Sequence, residues 1–264
     1  MKKLLTVTAM TLAAIGLATT AASAATVSAG ATDLILGFAT DDSTTPGNAS
    51  NLEIDLGPIA SLTSESFSNI GADLSTVYGS GWASRTDIVW GAGGVLSTSP
   101  SNKSVVVTLN DGLPSGASST SLSPAWNAIK TLAIGLNGQT ALSESNAASV
   151  STSLGNSFTQ ALAGAGTTTL LNYSGSDYGG YFGTLETVLQ DNVDTTTPLG
   201  SIELYEMNGT NSTSTDLGTL KLIGSGSSAT LSFTALATPE PSSYALALGG
   251  LAFLVWAMRR KSVA

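Results

Sequence analysis

Apolar and polar residues alternate in short runs through most of this chain, and turn-forming residues separate the runs. Leu34, Leu36 and Phe38 alternate with Asp33, Ile35 and Gly37, and Leu52, Ile54 and Leu56 alternate with Glu53 and Asp55. A period of two bounded by Pro46, Gly47 and Asn48 predicts two antiparallel strands. Further strands are expected at 87–90 and 105–109, separated by the glycines of 91–94 and the serines of 97–101. Residues 201–207, 218–223 and 229–233 read as a three-stranded meander turned by Asn208 and Gly209 and by 224–226. In the middle the period changes. Ser123 followed by Pro124 is a helix start, and Trp126, Ile129, Ala133 and Leu136 then share one face up to Gly138. A second helical pattern passes through Ala147, Val150, Leu154, Phe158 and Ala161, and 181–191 fits either element. The expected fold is mainly β, an antiparallel sandwich-like domain with one or two inserted helices.

Both ends depart from that pattern. Residues 244–258 are apolar and are followed by Arg259, Arg260 and Lys261. A helix over 241–258 rises about 27 Å, enough to cross the hydrocarbon core. No charge interrupts it, and cations stand on one side only, so a single transmembrane helix is expected with its basic end in the cytoplasm. At the front, Met1, Lys2 and Lys3 precede an apolar stretch over 4–18, and Ala22 and Ala24 are the small residues that signal peptidase reads. Cleavage is expected after Ala24. The chain therefore divides into a signal peptide (1–24), an exported ectodomain (25–237) and a carboxy-terminal segment (238–264).

That segment carries a further pattern. Pro239, Glu240 and Pro241 stand directly before the apolar run and the Arg259, Arg260, Lys261 stop. This arrangement resembles the carboxy-terminal signal of PEP-CTERM proteins, exported proteins of Gram-negative bacteria whose genomes typically encode exopolysaccharide machinery. The resemblance implies processing near Pro239, Glu240 and Pro241 by exosortase, a membrane-embedded cysteine protease, and delivery to the cell surface or medium. Each part has a physical use. Pro239 and Pro241 hold the backbone extended, as a protease requires, and Pro239 biases Thr238 away from helix. Pro241 is tolerated in a first helical turn. Glu240 is the only charge between Lys221 and Arg259, so a cationic pocket can read it without competition.

Charge narrows the partners. Between residues 25 and 237 only Arg85, Lys103, Lys130 and Lys221 face seventeen carboxylates. Such a surface repels phosphate backbones, which excludes nucleic acid. The chain has no Cys and no His. It has no disulfide framework, and it lacks both the usual zinc and copper ligands and the Ser–His or Cys–His nucleophile systems. No cofactor and no metal site are expected. Carboxylate chemistry would need Asp41 and Asp42, Glu53 and Asp55, Asp191 and Asp194, or Glu203 and Glu206, and each pair reads first as solvated surface. Asp191, Asn192 and Asp194 lack the full pattern of a calcium loop. Trp126 reads as core, and Trp82 and Trp90 beside their glycine-rich turns, with Tyr173, Tyr178 and Tyr181, read as packing at a sandwich end or as a sugar platform. The expected function is a non-catalytic surface or extracellular-matrix protein associated with exopolysaccharide or biofilm. A carbohydrate-binding module is the alternative, and a carboxylate-based glycosidase stands behind both.

Overall fold

In the computed structural model, which describes residues 24–40, 49–85, 87–109, 119–143, 145–159, 198–224 and 226–236, the first two alternating runs pair as expected. Strand β1 (Asp33–Thr40) lies antiparallel to β2 (Ser50–Pro58), with Leu36 opposite Ile54 and Phe38 opposite Leu52. Both faces of β1 are covered: Leu34, Ile35, Leu36 and Phe38 are all fully buried. Burying an apolar side chain of this size contributes roughly 1.5–3 kcal/mol, so β1 is the spine of the core.

Strands β3 (Glu65–Phe67), β4 (Ile88–Val95), β5 (Ser104–Leu109), β6 (Ala147–Ser151), β7 (Pro198–Asn208), β8 (Thr213–Ile223) and β9 (Thr230–Ala235) complete the sheet. Its order is β3-β9-β8-β7-β5-β4-β1-β2-β6, and every pairing is antiparallel. The expectation of a mainly β, antiparallel domain therefore holds, as does the β7–β8–β9 meander. The strands nevertheless form one continuous sheet rather than two stacked ones, because β5 hydrogen-bonds to β7 and joins the front half to the meander. Helix α1 (Ile70–Tyr78) contacts both β2 and β9, which lie near opposite edges. The sheet therefore curls until its two flanks meet across α1.

Three local expectations are corrected. The glycines of 91–94 do not separate strands but run inside β4, where Gly94 passes so close to β1 that an added Cβ would lie 2.7 Å from the Asp33 carbonyl oxygen. The central helix begins earlier than Ser123. It is α2 (Ser119–Ile129) with Pro124 inside it, followed by the separate short α3 (Leu132–Leu136). The helical spacing from Ala147 is overridden, since β6 forms there against the open edge of β2, with Val150 opposite Asn51 and both buried. Residues 181–191 lie outside the described residues. The helices α2 and α3 cover β4, β5, β1 and β2. Trp126 and Ile129 of α2 and Leu132 and Leu136 of α3 are buried, and the Trp126 indole N–H donates to the Ser97 carbonyl at 3.0 Å. Among the described residues no helix is long and apolar enough to cross a membrane, and the apolar run at 244–258 lies outside them.

Candidate functional site

The fold takes hold of the chain immediately after the expected signal peptide and keeps hold of it up to the sorting motif at 237–261. Ala24 is exposed, and the next residue is already paired: the Ala141 N–H donates to the Ala25 carbonyl at 2.9 Å. Thr26 bridges Thr140, and Val27 exchanges backbone bonds of 2.9 Å with Gln139 and Gly138 while its side chain is buried. At the other end, Ala235 donates its N–H to the Ser64 hydroxyl at 3.0 Å and Leu236 donates to the Leu217 carbonyl at 3.0 Å. Ala22, the sorting residues Pro239, Glu240 and Pro241, and the stop residues Arg259, Arg260 and Lys261 lie outside the described residues.

Of the carboxylate pairs, Glu53 and Asp55 share one face of β2, yet their surroundings differ. Glu53 is sealed in the core, where it accepts the Phe158 N–H at 2.6 Å. Burial pushes its carboxyl up to about 8, against the opposing effects of the Phe158 and Asn51 contacts. Asp55 is half-buried and accepts the Gly57 N–H at 2.7 Å. Burial raises it to about 6, with the neighbouring Asp33 carboxyl adding to the rise. Asp33 in turn accepts the Gly30 N–H at 2.6 Å. Each of these carboxyls organises backbone, and Glu53 reaches no cleft. On β7, Glu203 takes the Tyr205 hydroxyl and Glu206 accepts the Ser104 hydroxyl at 2.7 Å. Asp41, Asp42, Asp191 and Asp194 lie outside the described residues, as do Tyr173, Tyr178 and Tyr181. Among the described residues no three Asp or Glu side chains converge as metal ligands. Trp82 and Trp90 are fully buried, and the Trp90 ring stacks on Phe38 with centroids 6.1 Å apart.

Sequence reasoning missed α1, which binds the two flanks of the curled sheet. Gly71 donates its N–H to the Ala229 carbonyl at 3.1 Å, and an added Cβ there would lie 2.1 Å from the Gly226 carbonyl oxygen. Asp73 is buried and accepts both the backbone N–H (3.1 Å) and the hydroxyl of Ser143. The Tyr78 hydroxyl accepts the Leu52 N–H at 3.1 Å and donates to the Phe38 carbonyl at 2.5 Å. A cavity of about 200 Å³ opens beside α1. Ile54, Phe67 and Ile70 form its apolar wall, while Ser66, Asp73 and Asn146 supply polar atoms. The available signal was Asp73 itself, which follows Ile70 by three residues and precedes Leu74, on the apolar face of the helix.

Residues 237–261 match the family model of the PEP-CTERM protein-sorting motif. No curated protein and no solved structure matches the chain. The chain thus carries the mark of an exported protein sorted by exosortase, a membrane protease, through a membrane-held precursor. The matched segment begins one residue after Leu236, the last residue of the described domain.

Proposed function

We propose that this chain is a non-catalytic surface or extracellular-matrix protein. Its β-rich domain is exported behind a cleaved signal peptide, held by a carboxy-terminal membrane helix, and delivered after exosortase processing at the Pro239, Glu240 and Pro241 segment. Association with exopolysaccharide or biofilm is part of this reading. The sorting motif at 237–261 carries it. The geometry of the carboxylates agrees, since Glu53 is sealed by Phe158 and Asp55 holds a turn, which leaves neither placed to act on a substrate. A carbohydrate-binding role is the second reading, and the cavity beside α1 favours it. Phe67 offers a ring to the apolar face of a sugar, and the half-buried Asn146 offers hydrogen bonds to hydroxyls.

The test is processing in a host that carries exosortase. Glu240→Ala and Pro239→Ala are expected to leave a membrane-held precursor with an unchanged ectodomain fold, measured by intact mass and membrane fractionation. If both variants show the wild-type mass and distribution, the segment is a hinge before a plain anchor and the sorting role fails.

A further inference from the structure

A carboxamide and a hydroxyl from distant parts of the chain meet on the covered face of β2. Asn51 and Glu53 are two positions apart on β2, so they share a face, and both are fully buried. The chain after β6 returns over that face and brings Phe158 and the half-buried Thr159 against them. The hydrogen bonds around Asn51 fix which way its amide points. The amide oxygen accepts the Thr159 N–H at 2.9 Å and the Phe158 N–H at 3.2 Å. The hydroxyl oxygen of Thr159 lies 2.8 Å from the amide nitrogen and 3.2 Å from the amide oxygen. An atom so near both ends of an amide is within about 3.5 Å of the carbon between them, the separation of a near-attack arrangement.

A Thr–Asn contact by itself is an ordinary buried pair, but its surroundings here are those of acyl transfer. Two successive backbone N–H groups point at the amide oxygen, where negative charge develops when the carbon is attacked. Glu53 contacts the same amide, and burial keeps its carboxyl protonated at neutral pH. One Glu53 oxygen takes the Phe158 N–H, and the other, Oε2, has no hydrogen-bond partner among the described residues. A buried carboxyl oxygen left in that state costs stability, and in a native fold it points to a role. Asn51 and Glu53 are sealed from water, so hydrolysis does not compete.

We propose that Thr159 and Asn51 join in an intramolecular ester, formed once by the folded domain on itself. The Thr159 hydroxyl oxygen bonds to the side-chain carbon of Asn51, and the bond from that carbon to its nitrogen breaks. Glu53 gives its proton to the departing nitrogen and takes the hydroxyl proton of Thr159. It ends as it began, and ammonia leaves. The product ties together positions 108 apart. Strands β3 to β6 and helices α1 to α3 lie within the loop it closes. A crosslink that closes so long a loop restricts the unfolded chain strongly. The chain has no cysteine, so the ester supplies what a disulfide gives other exported domains. It requires neither exosortase nor a sugar ligand.

Intact mass of the full-length chain, exported in a host lacking exosortase, reads the reaction. After allowance for the substitution itself, wild type is expected to be lighter than Thr159→Ala by the mass of one ammonia. Thr159→Ser keeps the nucleophile and should show the same deficit. Glu53→Gln should acquire it about 100-fold more slowly, the loss of a general acid–base group. Digestion of wild type should yield one branched peptide holding residues 51 and 159, which mild alkali splits to leave Asp at position 51. That peptide is sought in wild type, so the test does not depend on how well the variants fold. A wild type with no mass deficit overturns the ester. So does a deficit without a branched peptide, as a succinimide at Asn51 would give. Crosslinking at the wild-type rate in folded Glu53→Gln overturns the proton transfer assigned to Glu53. None of these readouts involves the sorting protease, so failure here is distinct from failure of the sorting role.

Discussion

The Phe158 backbone N–H donates to the Glu53 carboxyl at 2.6 Å, joining the chain after β6 to the middle of β2 in the core. Burial raises Glu53 to about 8 from its ordinary 4.5, so the folded state holds a proton that the unfolded chain releases. A raised folded value means the contribution is complete below the unfolded value and is lost as pH climbs through the folded one. Stability should therefore fall between about pH 5 and 8 by up to about 1.4 kcal/mol per pH unit from this group. Asp55, raised to about 6, acts in the same direction over a lower window. Denaturant unfolding at several pH values checks this. Glu53→Gln should flatten the slope above pH 6, and an unchanged slope would assign the dependence to other groups.

Gly37 and Phe158 form a close fit on the covered face of β1. A Cβ on Gly37 would sit 2.1 Å from the Phe158 ring. Phe158→Ala should cost about 3–5 kcal/mol through the cavity it leaves. Gly37→Ala should cost about 1–3 kcal/mol by overpacking. In the double variant the methyl gains room, so the two losses should sum to less than their separate values. Thermal or urea denaturation of the three variants measures the coupling.

Tyr78→Phe removes one oxygen and leaves two buried backbone groups, the Leu52 N–H and the Phe38 carbonyl, without that partner. Each orphaned group costs about 1–3 kcal/mol. The expected loss is about 2–4 kcal/mol, larger than for a surface Tyr, and calorimetry or urea unfolding reads it directly.

Signal peptidase should release a chain beginning at Ala25. The docked pairing of Ala25, Thr26 and Val27 with residues 138–141 leaves Ala24 exposed and the following residues held. Amino-terminal sequencing of exported protein checks the start, and material beginning at Met1 would overturn it. Val27→Ala should lower stability without moving the cleavage site, since that site is expected to be set by Ala22 and Ala24.

The sequence alone determined the features that depend on local order. Alternation between turn residues placed β1, β2 and the β7–β9 meander, because successive side chains of any strand point to opposite faces, although both faces of β1 are covered. The sorting motif at 237–261 is likewise a linear signal, recognisable without a folded context, and the small residues at Ala22 and Ala24 and the apolar terminal run with its basic stop are expected to be read in the same way, as extended or membrane-inserted chain. Only the tertiary structure decided what depends on non-local contact. The pairing of β5 with β7 turned an expected pair of sheets into one, since the period of two is the same in either arrangement. The open edge of β2 drew Ala147 and Val150 into β6 against their helical spacing, because backbone hydrogen bonds to a ready strand outweigh a weak local preference. The close approach of Gly94 to Asp33 let a glycine run that resembled a turn continue as strand. Glu53 stands in an alternating run where a carboxylate reads as solvated, and the chain beyond β6 buries it. The meeting of the sheet's flanks on Gly71, Asp73 and Tyr78 has no local signature, because the residues that Asp73 and Tyr78 grip are 26 to 70 positions away.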